Sequence, residues 1–155
     1  MSATQNALQS GSQPGNQQKF RLVTRSDFDG LVCAVLLRHL NLIDDILFVH
    51  PKDMQDGKIA ITSRDITTNL PYVAGAHLVF DHHLSETLRN LERAQNHIIH
   101  PQAPSAARVV YDHYGGARTF PAAWDDMMAA STRATRRASR ATKCWPRAAG
   151  TCSTS

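Results

Sequence analysis

The sequence predicts an α/β domain, a parallel β-sheet covered by helices. Three observations carry this reading. Short apolar runs of strand composition alternate with segments of helical spacing. The strand runs are apolar through their cores rather than strictly alternating, as strands buried on both faces are. Acidic residues follow directly on several of these runs, where open α/β sheets collect their functional groups.

The elements follow in order. Residues 20–25 (FRLVTR) read as a first strand, short and ending in polar residues. Asp27 to Gly30 form a tight acidic turn, and 31–40 (LVCAVLLRHL) is apolar enough for a helix buried against a sheet. DILFVHP, 45–51, is a second strand stopped by Pro51; KIAITS, 58–63, is a third and AHLVFD, 76–81, a fourth. LSETLRNLERA, 84–94, has helical spacing, with Leu84, Leu88 and Leu91 on one stripe. A short strand at 97–100 and a helix from about Ser105 to Tyr114, ended by Gly115-Gly116, complete the alternation.

Length and charge bound the rest. The 155 residues suffice for one ordinary domain, and 42% hydrophobic with 19% charged residues is a globular composition. No window approaches the ~20 apolar residues of a membrane helix. Residues 1–18 are rich in Gln, Ser, Asn and Gly, with no secretory pattern, and read as a disordered tail. Three cysteines give no disulfide framework, which fits a reducing cytoplasm. The net charge of +4 divides unevenly: residues 131–155 hold 6 of the 17 Lys and Arg and none of the 13 acids. Cys144 and Cys152 also lie there, and so abrupt a shift marks a boundary.

Three acidic clusters fall at expected strand ends: Asp27 and Asp29 after the first strand, Asp65 after the third, and Asp81-His82-His83 after the fourth. Carboxylates converging on one sheet edge repel unless cations lie between them, and divalent ions bound by Asp and His answer that need. Two such ions can activate a water and hold both oxygens of a phosphoryl displacement. Taken singly, Asp27-Phe28-Asp29-Gly30 reads better as a helix cap and turn, and Asp65 better as a turn cap, than either does as a metal ligand. The coincidence of all three at equivalent positions favours a metal site. Ser105 reads as a helix N-cap, and Cys33 as a small core residue. His39, His50, His97, His100 and His113 join no cluster.

The order VTRSDFDGLVCAVLL, ITSRDITTNLP and VFDHHLSE resembles the DHH phosphoesterase superfamily, and most closely its bacterial exopolyphosphatase-like members. The likeness covers residues 19–130 and implies a Rossmann-like N-terminal domain. It also implies a manganese-dependent hydrolase that attacks phosphodiester or phosphoanhydride bonds with water activated by two ions, Mg2+ or Co2+ being alternatives to Mn2+. By that resemblance Asp27, Asp29, Asp65 and His82 are metal ligands, with Ser63 near enough to leave the register of the second motif open. Asp81 and His83 are catalytic, Asp81 orienting the histidines or the water, and His83 facing the phosphate. Arg25 stands where the family often has a histidine, which either costs a metal ligand or supplies a phosphate-binding guanidinium instead. The implied partners are a phosphorylated small molecule, polyphosphate or a short oligonucleotide, with no membrane, and a homodimer is compatible.

The resemblance also leads one to expect a further metal-binding acid on a later helix and a separate C-terminal substrate domain, and neither is recognisable here. Residues 131–155 read as a basic low-complexity tail translated out of frame. Read from the third base of each codon, Cys144-Trp145 forces Leu and Trp145-Pro146 forces Ala, and permissive codons complete an ordinary segment, DEVLAPRGWDLLNF. A preceding DKGDSA would carry the missing acid. The expected chain is thus an incomplete, impaired enzyme. The alternatives are a catalytically inactive fragment, or a nucleic-acid-binding module using the basic segment. Sequencing the gene across codons 125–160 should find an open shifted frame running on into a longer domain; a natural stop without such a frame would make the basic segment native.

Overall fold

The central strand of the sheet is β1 (Phe20–Arg25), and its alternation builds a core on each side. Leu22 points into the larger cluster with Leu36, Leu37, Phe80 and Val110. Val23, its neighbour, points into a smaller one with Val49, Met54 and Leu70. A computed structural model describes residues 18–85 and 95–143. In it β2 (Ile43–Val49), β1, β3 (Asp65–Thr68), β4 (Leu78–Asp81) and β5 (His97–Ile99) form, in that order, one sheet with every neighbouring pair parallel. Helices α1 (Phe28–His39), α3 (Ala106–His113) and α4 (Asp125–Lys143) lie against the larger core. Helix α2 (Pro51–Gln55) contributes Met54 to the smaller. The parallel sheet flanked by helices is the predicted class. No helix among the described residues is long and apolar enough to cross a membrane.

Helix α1 begins three residues before the expected apolar run because Asp27 caps it, its carboxylate accepting from the Gly30 amide at 2.9 Å. Gly30 is fixed by close approach: a Cβ there would stand 2.1 Å from the Arg25 carbonyl oxygen. Ser105 caps α3 as expected, accepting from the Arg108 amide at 3.2 Å, and Cys33 is a buried core thiol. The second strand starts earlier than predicted, at Ile43, and Pro51 opens α2 rather than merely ending the strand. The N-terminal segment 1–17, most of the helix expected over 84–94, and Cys144 and Cys152 lie outside the described residues.

Two expectations are corrected. The third strand is Asp65–Thr68, not Lys58–Ser63. Ile59 and Ile61 only pad the smaller core from a loop, whereas Ile66, Thr67 and Thr68 are β-branched and completely buried between β1 and β4. Thr68 joins the sheet by donating its hydroxyl to Thr24 Oγ1 at 2.6 Å. The second concerns only the structural boundary at residue 131, which falls within a helix: α4 runs through Ala130 to Lys143 without a break. Ala and Arg are strong helix formers, and Met128 and Ser131 bury one side of the helix.

The first correction moves Asp65 to the amino end of β3, away from the edge where β1 and β4 deliver their acids. There its carboxylate accepts from Arg21 Nε at 2.7 Å and Nη2 at 3.0 Å, and from the Thr62 amide at 2.7 Å. Burial, the largest single influence, pushes its pKa up, but Arg21 and Thr62 together hold it below the ordinary carboxylate value. A carboxyl depressed in the folded state stabilises above its unfolded pKa and loses that contribution as pH falls through the folded one. Asp65→Asn should therefore cost about 2–3 kcal/mol at pH 7, the worth of a charge-assisted hydrogen-bond set. In urea unfolding the deficit should shrink toward pH 3; an equal deficit at both pH values would remove the charge from the explanation.

Candidate active site

The carboxyl edge of the sheet opens into a pocket of about 320 Å³ lined by Arg25, Asp27, Phe28, Asp29, Asn69, His82 and His83, and by Ala134, Thr135 and Ala138 of α4. Parallel strands bring these groups together because β1, β3 and β4 all end on the same side. Of the residues singled out in the sequence, Arg25, Asp27, Asp29, His82 and His83 thus share one cavity, with Asp81 beneath them and wholly buried. Asp65 does not belong to it, and Ser63 is an exposed turn residue.

Asp27 holds several partners besides its helix. Arg25 Nε lies 3.0 Å from Oδ2, and Asn69 Nδ2 donates to both carboxylate oxygens at 3.2 Å. Asn69 was missed in the sequence, where it reads only as part of a turn. It follows β3 directly with φ 56°, a left-handed conformation that Asn tolerates well, and this turns its amide toward Asp27. The signal was the Asn-Leu-Pro that stops a β-branched run.

Asp29 is 2% exposed and is a structural hub. Oδ2 accepts from the Ala106 amide and Oδ1 from the Ala107 amide, each at 2.9 Å, and Ser131 Oγ donates to Oδ1 at 2.9 Å. The first two amides of α3 have no partner within the helix, so a carboxylate at this end satisfies both and complements the helix dipole.

The two histidines sit in opposite environments. Asp81 Oδ1 lies 2.7 Å from His83 Nδ1, and this hydrogen bond raises the His83 pKa despite partial burial. Burial, followed by the neighbouring His83, lowers the His82 pKa. The rings are 4.4 Å apart.

Whether these donors suit the two-ion centre implied by the resemblance can be tested on their geometry. His82 Nε2 and Asp81 Oδ2 are buried without a hydrogen-bond partner, which a bound cation would relieve. Against that, the described residues gather no group of three or more His, Cys, Asp or Glu able to hold one ion. The position closing β3 is a neutral Asn69, and the Asp65 carboxylate is bound to Arg21 on the other edge. The described residues do not fit a two-ion centre.

The Asp29 hub should register in stability independently of any metal. Asp29→Ala strands two amides and a hydroxyl, and should cost about 3 kcal/mol or more in denaturant unfolding carried out in chelator. A loss seen only when divalent ions are present would instead make Asp29 chiefly a ligand.

No family model and no curated protein matches the chain. Among solved structures it is similar to the pGpG-specific phosphodiesterase PggH from Vibrio cholerae, at 68% sequence identity and a TM-score of 0.68. The match covers 74% of this chain and 36% of that one, so the chain spans little more than a third of its relative's length. With the Asp27-Phe28-Asp29-Gly30 turn, the Asp81-His82-His83 strand end and the parallel sheet that unites them, this degree of identity places the chain in the DHH phosphoesterase family.

Proposed function

We infer that the pocket hydrolyses a phosphodiester bond in a short 5′-phosphorylated oligonucleotide of the pGpG class. Similarity to a pGpG-specific phosphodiesterase supports the substrate class. The observation that carries the chemistry is the Asp81–His83 pair at 2.7 Å, facing the same cavity as Arg25.

The chain's own groups divide the work. Arg25, 39% exposed, can turn its guanidinium from Asp27 to a phosphate, which it matches as a two-pronged donor. The same charge offsets the negative charge carried by the phosphoryl oxygens in the transition state. Asp81 orients His83 and favours its protonated form, so His83 gives a proton to the leaving oxygen as the P–O bond breaks. His82, kept neutral by burial, offers an unpartnered Nε2 to the proton released by the attacking water. Two neighbouring groups whose pKa values are pushed apart make a workable acid and base.

Release of GMP from pGpG, followed by chromatography, tests the assignment. His83→Ala should lower kcat roughly 100- to 10,000-fold with little change in KM, as removal of a general acid does. Arg25→Ala should act mainly by raising KM. An unchanged kcat in His83→Ala would overturn the proposed role of the pair.

A further inference from the structure

Phe28 stands between the two pocket acids as the first residue of α1, and 42% of it is exposed. Leu31, Phe48 and Leu84 are also exposed large apolar residues, but none of them lines the cavity. Single apolar residues at a surface need no explanation. An aromatic ring in the wall of a pocket that also holds Arg25 and His83 is a different case, because it sits beside the groups that would bind a phosphate.

The exposure is imposed by the backbone. Asp29 and Gly30 are buried: the first is tied to α3 and α4, and the second is pressed against the Arg25 carbonyl. Helical geometry therefore holds Phe28 on the outer side of the same turn, together with Leu31. The ring cannot join the core without unseating Asp29.

We propose that Phe28 is a stacking platform for a nucleobase of the substrate. The proposal rests on the reading of the pocket as a nucleotide phosphodiester site. A phosphate drawn to Arg25 carries its nucleoside along the cavity wall, where Phe28 is the aromatic face besides the His82 and His83 rings, which the proposed chemistry already uses. Base–aromatic stacking is tolerant of base identity, so the ring contributes affinity and position rather than guanine selection. It also favours a nucleotide over a base-free phosphate chain such as polyphosphate.

Calorimetric titration of the whole chain and two variants tests the proposal, with pGpG and a 5′-phosphorylated abasic dinucleotide as ligands. Phe28→Leu should weaken pGpG binding roughly 5- to 100-fold, the range of one base–aromatic stack, and leave the abasic ligand's affinity unchanged. Phe28→Trp should retain pGpG affinity, which shows that the site tolerates substitution. Equal weakening of both ligands by Phe28→Leu, or no weakening of pGpG, would overturn the stacking role while leaving the phosphodiester reading intact. Failure of the unaltered chain to bind either ligand would overturn that reading, and this proposal with it.

Discussion

The fold and the pocket both depend on where the Asp29 carboxylate is held. One side chain accepts from two amides at the start of α3 and from the Ser131 hydroxyl of α4, so three helices meet at a single charged group 2% exposed to solvent. A buried carboxylate is costly unless its oxygens are satisfied, and here donors from two separate helices satisfy them. Asp29 consequently fixes the helical register of α1. Gly30 must follow it to let the helix approach the Arg25 carbonyl, and Asp27 must precede it to cap the helix. The short acidic turn is therefore a mechanical joint as well as one wall of the cavity.

That double duty explains which parts of the site were legible in the sequence. Asp27, Asp29 and the Asp81-His82-His83 cluster each follow an apolar run, and β1 and β4 ended close to where composition placed them. The third strand was misplaced because apolar content drew attention to Ile59 and Ile61, while the buried strand is half threonine. Thr67 and Thr68 are polar as residues yet suit a pleated, fully covered strand through their β-branching. Shifting that strand by a few residues exchanged the two ends of one segment. Asp65 went to the far edge with Arg21, and Asn69 arrived at the pocket.

The continuation of α4 past Ala130 is hidden in the sequence by its charge. Net charge and the absence of acids set it apart, but charge does not determine helix formation on an exposed face. Arg133, Arg136, Arg137 and Arg140 are all exposed, whereas Ser131 is buried against Asp29. Met128 and the Ser131 hydroxyl dock this part of the helix, on the side away from its arginines.

The electrostatics of the pocket then follow from one buried group, Asp81. It has no solvent exposure and a single short partner, His83, so its negative charge is felt mainly by that ring. His83 is thereby favoured as a cation, and its charge adds to burial in keeping His82 neutral. One carboxylate beneath the surface thus differentiates two adjacent identical side chains. Arg25 brings a guanidinium to the same cavity, paired with Asp27 at 3.0 Å. On the proposed reading the cavity exchanges an internal ion pair for a phosphate, and Asn69, donating to Asp27 from the carboxyl end of the neighbouring strand β3, keeps that carboxylate satisfied when Arg25 leaves it.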